Sequence, residues 1–356
     1  MEPFCSTDNG LITFITTNEC SARCAHCLMR SGPERHEKLT ASQIKDAIER
    51  ITEWYDAKVV VFTGGECTRL GDDLFESIAF ASAKGLLTRI VTNGEWAETD
   101  ESTKKMIESL RSVGLNEMNI SYDDFHAAWI PLDYVVRVWK ASKGQGFSSV
   151  VFAVGAGPRS RITPETMMRA LGENVSLAYD ELGRPNKPAA ASNDGTSYMI
   201  SNSKILRIGR GRALREDYSC FRKTSDVFTQ KCPYQNTQPV ITPLMHVAAC
   251  CGINPSDNKL LDFGDIDHCA VDELQELYHR AIHILGPGYL VDMVRECYPD
   301  SQFGRKKYSS ICEMCEDLTT SNEAIQTIKK NALRVAEDIR AEQTLTGISS
   351  AGEVES

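Results

Sequence analysis

Within eight residues near the start of the chain, Cys20-Ser21-Ala22-Arg23-Cys24-Ala25-His26-Cys27, three thiols recur after three and then two intervening positions. Thiolates this close in a mostly polar stretch are better placed to share one metal centre than to bridge each other. Soft sulfur ligands suit zinc or an iron-sulfur cluster. Three ligands leave one coordination position open, through which a small molecule can reach the metal. Two other readings of the loop stand beside this one: a zinc site completed by His26, and a redox dithiol made by Cys24 and Cys27.

The rest of the composition narrows the class. The 356 residues suffice for one large domain with an appendage, and 39 Lys+Arg against 49 Asp+Glu give a formal charge of -10. That balance gives no support for a nucleic-acid partner or an anionic membrane surface. Met1-Glu2-Pro3-Phe4-Cys5 has neither a basic nor an apolar export region, and no run of about eighteen apolar residues follows. The chain is therefore expected to be cytoplasmic, with its 13 cysteines reduced and available to metals rather than to disulfides.

Leu11 to Thr17 reads as a strand delivering the chain into Cys20, and Thr40 with Gln43 reads as a capping box opening a helix with stripe Ile44, Ala47, Ile48, Ile51. Strands follow at Lys58 to Thr63, Leu86 to Thr92, Glu117 to Tyr122 and Val150 to Val154, each leading into a helix. For the sixth strand Tyr198 to Ser201 competes with Val175 to Tyr179. Apolar strands alternating with helices predict an α/β fold, a partial (β/α)6 TIM-like barrel whose site lies after the strands' C-terminal ends. Gly183 to Gly195 reads as a loop. After about Gly209 the pattern changes to short segments, prolines and cysteines, the sign of a smaller C-terminal cysteine-rich α+β domain. A helix is expected at Val271 to Leu285 and another at Asn322 to Glu342. The expected divisions are 1–208, 209–320, a helix at 321–342 and a frayed tail at 343–356.

The Cys20, Cys24, Cys27 spacing resembles the signature of the radical S-adenosylmethionine (radical SAM) superfamily, with His26 where that family usually has an aromatic residue. Thr63-Gly64-Gly65-Glu66 at the second strand's end is similar to the family's "GGE" motif. The resemblance implies a 4Fe-4S cluster on the three cysteines and S-adenosylmethionine held beside it by His26, Gly64, Gly65, Glu66, Asn93, Ser121 and Asp123. It places Glu66 on the cofactor's amino group. Glycines permit close backbone approach, and a carboxylate accepts charge-assisted bonds from an ammonium. His126 is a candidate substrate base and Cys67 a candidate hydrogen-atom donor; a satisfied loop histidine and a small buried thiol are the plainer readings of each.

Cys232, Cys250, Cys312 and Cys315 form a second group able to close a four-thiolate site. The stretch from Val240 to Cys250 resembles the β-hairpin of the SPASM and twitch modules, which hold auxiliary 4Fe-4S clusters, although Leu244-Met245 replaces the usual Asp-Gly turn. One auxiliary cluster is the expected count, with zinc as the alternative occupant. Cys250 and Cys251 compete for one ligand position, because neighbouring strand side chains point to opposite faces. What the resemblance implies is an oxidoreductase that cleaves S-adenosylmethionine, abstracts a substrate hydrogen through a 5'-deoxyadenosyl radical and passes an electron to the auxiliary cluster. The expected partners are a peptide substrate or a small sugar-like or aminocyclitol alcohol, and an electron donor such as flavodoxin or ferredoxin. Quenching of the substrate radical by a thiol would instead give epimerisation. A zinc-stabilised binding protein is the non-enzymatic alternative.

Overall fold

The computed structural model describes residues 10–179, 186, 195–219, 224–233, 238–255, 258–304 and 306–346. Five βα units and two further strands open the chain: β1 (Leu11–Ile15), α1 (Ala41–Thr52), β2 (Val59–Thr63), α2 (Asp72–Ala83), β3 (Leu87–Thr92), α3 (Asp100–Ser112), β4 (Glu117–Ser121), α4 (Leu132–Ser142), β5 (Ser149–Ala156), α5 (Pro164–Leu171), β6 (Ser176–Leu177) and β7 (Ser197–Lys204). Local chemistry sets the helix starts. Thr40 and Gln43 make the reciprocal capping box of α1, and Thr163 caps α5 with Pro164 in its first turn, where a missing N–H is harmless.

Both candidate sixth strands form. β7 pairs with β5 over eight positions, from Ser149↔Ser197 to Ala156↔Lys204, while β6 adds only two residues to the far side of β7. The longer register takes the barrel position. Strands β1, β2, β3, β4, β5 and β7 are parallel neighbours in that order. Among the described residues the sheet does not close, so the architecture is a partial (β/α)6 barrel.

The remaining elements are α6 (Thr224–Phe228), β8 (Val240–Ile241), β9 (His246–Ala248), β10 (Asp262–Asp265), α7 (Glu273–Ile284), α8 (Pro287–Cys297), α9 (Ile311–Thr320), α10 (Asn322–Lys330) and α11 (Ala332–Thr346). The β8–β9 hairpin forms where the sequence places it. Instead of standing apart, it extends the barrel sheet, with Thr13↔Val240 and Phe14↔Ile241 paired in parallel.

The single helix expected from Asn322 to Glu342 is two. Asn331 leaves helical geometry at φ -105°, ψ 18°, and its side-chain Nδ2 donates to the Thr327 carbonyl at 2.8 Å, competing for a helix acceptor. The apolar stripe still crosses the break, with Ile328, Val335 and Ile339 buried. Helix α11 continues to Thr346, past the expected frayed end at 342. Most of the expected Gly183 to Gly195 loop, Cys5, Cys220 and residues 347–356 lie outside the described residues.

Candidate active site and second thiol cluster

The register aligns the strand ends that carry the predicted chemistry. Ile15 lies beside Thr63, Thr92 beside Ile120 and Ser121 beside Ala153, so the following loops leave the sheet side by side. The cysteine loop is laid onto the end of β2 by backbone bonds: Thr16 N–H to Thr63 O at 2.8 Å, Gly65 N–H to Thr17 O at 2.6 Å and Glu66 N–H to Glu19 O at 2.8 Å. This contact explains the two glycines. Gly64 has φ +140°, and a Cβ on Gly65 would overlap the Glu19 carbonyl, so a side chain there would push the loop away.

Cys20, Cys24 and Cys27 line a cavity of about 230 Å³ together with Gly64, Gly65, Asn93, Ser121, His26 and His126. Two donors face Cys20 Sγ, the Ala22 N–H at 3.4 Å and Asn93 Nδ2 at 3.6 Å. Burial pushes the Cys20 thiol up to about 12, and charge on Glu66 and Cys27 adds to the effect. Burial likewise raises Cys24, with Asp123, Cys20 and Cys27 contributing. Sulfurs that repel one another as thiolates yet are supplied with donors are suited to a cationic metal centre.

Glu66 sits one layer behind this wall. Its carboxylate is fully buried; Oε1 accepts from Thr68 N at 3.3 Å, Thr68 Oγ1 at 2.8 Å and Thr92 Oγ1 at 2.8 Å, and Oε2 accepts from Asn93 N at 2.7 Å. Oε2 keeps one lone pair. Burial raises this carboxyl above its usual range, the state of an acid that a cationic ligand would relieve.

The end of β4 builds a histidine–aspartate–histidine cluster. Asp123 Oδ2 lies 2.9 Å from His26 Nε2, and Oδ1 lies 2.9 Å from His126 Nδ1; Oδ1 also accepts the Phe125 and His126 N–H groups at 2.9 and 3.0 Å. The two imidazoles hold the Asp123 carboxyl far below the usual range against the opposing effect of burial. The His26 ring stacks on Phe125 at 4.7 Å and meets His126 edge-on at 5.1 Å.

A strap at Gly209–Ala213 crosses under the cysteine loop. Arg210 N–H donates to Cys27 O at 3.0 Å, its Nε to Cys24 O at 3.0 Å and its Nη2 to Ser31 O at 2.6 Å. The other side of the strap holds α9: the Gly209 N–H donates to Glu316 Oε1 at 2.9 Å, and Arg212 pairs with Glu316 and with the fully buried Asp317. Lys306 Nζ at 2.6 Å and Tyr308 Oη at 3.0 Å complete the surroundings of Asp317.

Helix α9 carries Cys312 and Cys315, which line a second cavity with Cys232 and Cys250 in a mostly apolar wall that includes Ile253, Ile282 and His279. Burial raises Cys315 and pushes Cys312 up to about 12, and charge on Cys250 and Cys232 raises both further. The Tyr278 hydroxyl lies 2.9 Å from Cys315 Sγ, and the Gly252 N–H donates to Cys250 Sγ at 3.2 Å. Cys251, next in the chain, is exposed and lines the first cavity.

A family model described as the radical SAM superfamily matches residues 14–169, the stretch that supplies every strand end around the first cavity except the strap. This part of the chain is a radical SAM domain. Among curated relatives, the chain is 21% identical over 135 residues to the Bacillus subtilis protein named "Putative peptide biosynthesis protein YydG", covering 38% of this chain and 42% of that one. It is 28% identical to Fe-coproporphyrin III synthase of Methanosarcina barkeri, covering 34% and 29%, and 26% identical to mycofactocin maturase MftC of Mycolicibacterium smegmatis, covering 40% and 36%. The matches thus span less than half the length of these relatives. Solved structures include BtrN in complex with AdoMet and 2-DOIA, with TM-score 0.47 and 12% identity over 80% of this chain and 91% of that one. Native anSMEcpe with bound AdoMet gives TM-score 0.49 and 10% identity over 93% and 99%.

Within the radical SAM domain, the structure brings Cys20, Cys24, Cys27, His26, Gly64, Gly65, Asn93, Ser121 and His126 to one cavity wall. Two sequence expectations change. Asp123, 2% exposed, stands behind the wall as the group that orients His26 and His126, because both of its oxygens are taken up by them and by the local backbone. Cys67 is fully buried in the hydrophobic core, directs its thiol to the Val91 carbonyl at 3.4 Å and is not among the residues that line the cavity. In the sequence, Cys251 stands only as a rival of Cys250 and Arg210 only as part of the Gly-Arg-rich stretch at 208–213, and no local signal marks Tyr278.

Proposed function

We propose that this chain is a radical SAM oxidoreductase acting on a peptide, with residues 1–208 as its catalytic core and 209–320 as an auxiliary electron-accepting unit. The observation that carries the reading is the sorting of the seven expected ligands into two cavities, Cys20, Cys24 and Cys27 against the GGE strand end and Cys232, Cys250, Cys312 and Cys315 around the α9 turn, with Cys251 an additional thiol in the first. When bound, a 4Fe-4S cluster with S-adenosylmethionine supplies one-electron cleavage of the cofactor to methionine and a 5'-deoxyadenosyl radical. Cys20, Cys24 and Cys27 would hold that cluster. The backbone at Gly64 and Gly65 admits the methionine moiety closely, and the buried Glu66 carboxyl just behind that backbone supplies the negative charge its ammonium would face. Arg210, the only lysine or arginine on the described cavity wall, suits its carboxylate. Ser121 offers a hydroxyl partner for the ribose.

Iron-sulfur rather than zinc occupancy is supported by the spread of the thiols. A tetrahedral zinc with Zn–S of about 2.3 Å needs sulfurs about 3.8 Å apart. Among the described residues, the group of His, Cys, Asp and Glu side chains whose ligand atoms converge within 4.8 Å is His26, Asp123 and His126, not either cysteine set. Cys232, Cys250, Cys312 and Cys315 give a substrate radical's second electron an outlet, so the substrate leaves dehydrogenated or cross-linked. The name of the B. subtilis relative, which refers to peptide biosynthesis, supports a peptide over a sugar-like alcohol, and a flavodoxin or ferredoxin would supply the first electron. No helix among the described residues is long and apolar enough to cross a membrane.

A second reading has one observation in its favour. Cys251 exposes a thiol to the first cavity, where it can return a hydrogen atom to the substrate radical and give a redox-neutral epimerisation. The deciding experiment measures iron and acid-labile sulfide after anaerobic reconstitution in the parent and in a variant with Ala at Cys20, Cys24 and Cys27. About eight irons against about four mark two cubane clusters. About four against none would remove the auxiliary centre and favour the redox-neutral reaction, and iron absent from both would sink the radical reading.

A further inference from the structure

Resting on the auxiliary centre proposed above, we propose that Tyr278 sets the reduction potential of that centre by donating its hydroxyl hydrogen to Cys315 Sγ. Tyr278 lies on α7 with its side chain fully buried, its hydroxyl 2.9 Å from the sulfur and its ring edge-on to His279 at 5.5 Å. A buried hydroxyl needs a partner. Once Cys315 is a thiolate ligand, the sulfur can only accept, so the phenol must be the donor.

The physical consequence follows from the surroundings. Ile253, Leu261, Ile282 and Ile311 exclude water from this wall, and a dry wall favours the less charged, oxidised form of a thiolate-ligated cluster. A hydrogen bond to a ligating sulfur favours the more negative, reduced form. Tyr278 therefore raises the potential in a place where the wall would lower it. That is the direction an electron outlet requires. In the proposed reaction the substrate gives a hydrogen atom to the deoxyadenosyl radical, forming 5'-deoxyadenosine. It then gives one electron to the auxiliary centre and one proton to solvent, and a one-electron acceptor of the ferredoxin or flavodoxin class restores the centre. Tyr278 touches none of the reacting atoms and acts as a positioning residue, through Cys315.

The test is an EPR-monitored redox titration of the auxiliary signal in the reconstituted full chain, comparing the parent with Tyr278→Phe, which keeps the ring and loses the donor. A second form carries a fluorotyrosine at position 278, placed by stop-codon suppression, whose more acidic hydroxyl is a stronger donor. At a fixed potential, the ratio of reduced to oxidised centre is expected to fall about tenfold in Tyr278→Phe. For a one-electron couple that is a midpoint about 59 mV lower. The fluorotyrosine form is expected to shift the opposite way, with total iron and the first cluster's signal unchanged in both. Unchanged midpoints with full iron would overturn the role of Tyr278 alone. Loss of four irons from a folded Tyr278→Phe protein would assign the hydroxyl to cluster assembly and equally overturn it. Zinc in the parent would overturn the auxiliary reading itself, and is seen before any variant is made.

Discussion

Arg210 gives the sharpest measure of how the cysteine loop is held. Its Nε and Nη2 donate to the Cys24 and Ser31 carbonyls at 3.0 and 2.6 Å, and Arg210→Ala removes both bonds while leaving the backbone bond to Cys27. A hydrogen bond involving a charged group contributes about 1.5–3 kcal/mol, and the lower end suits a half-buried guanidinium. Two such bonds make about 3 kcal/mol, a sizeable share of the 5–15 kcal/mol that roughly bounds a domain's stability. If the loss is global, the urea midpoint of unfolding falls by about 1 M for a slope of about 3 kcal/mol per M. If the loop opens locally, iron release to a chelator speeds up by about a hundredfold, at about 1.4 kcal/mol per decade. Arg210→Lys keeps the charge but not the fork, and should recover about half of either effect. An Arg210→Ala protein with the parent's urea midpoint and the parent's rate of iron release would refute this account of the strap.

Two further perturbations probe the parts that the strap joins. Asp317→Asn leaves Arg212 and Lys306 facing a neutral amide at a fully buried position. Breaking a buried ion pair on one side costs about 3–5 kcal/mol, so thermal unfolding should begin well below the parent's and α9 should lose protection from hydrogen exchange first. His279 is 1% exposed, and its burial depresses its pKa from 6.5 to about 4, against the opposing bond to Leu260 O. The unfolded chain therefore binds the extra proton between those values, so the stability contribution is complete above about pH 6.5 and is lost as pH falls towards 4. By pH 5 the loss is about 2 kcal/mol. Urea titrations at pH 7 and pH 5 should show that drop in the parent and not in His279→Leu, and equal drops in both would disprove it.

What the sequence made legible is what local chemistry decides. The three-thiol spacing, the Gly64-Gly65 approach and the capping box at Thr40 depend on residues a few positions apart, and all appear in the structure where expected. Which side chain of a motif faces the cavity is decided elsewhere. Thr92, from the neighbouring strand, helps enclose Glu66 behind the wall, and His26 and His126 draw Asp123 behind it. Neither contact can be read from Gly-Gly-Glu or from Ser121-Tyr122-Asp123 alone. Helix α8 was missed although Pro287 in its first turn and buried Leu290, Val291 and Val294 signalled it. The cysteines on either side drew that region into a reading of metal ligands rather than of helices.

The hairpin turn explains how the second cavity survives a departure from the family's pattern. Leu244-Met245 stands where Asp-Gly is usual, and Met245 takes the left-handed conformation at φ 61°, which costs a side-chain-bearing residue about 1–2 kcal/mol. Thr242 offsets that strain. Its carbonyl accepts the Met245 N–H at 3.0 Å, and its hydroxyl accepts the N–H groups of Leu244 at 3.3 Å and His246 at 3.2 Å. These bonds fix the register Val240↔Ala248 and Ile241↔Val247. A slip of one residue in a strand exchanges its two faces. Here such a slip would exchange Cys250 and Cys251 between the two cavities they line. The threonine that closes the turn thus decides which of two adjacent thiols lines which cavity.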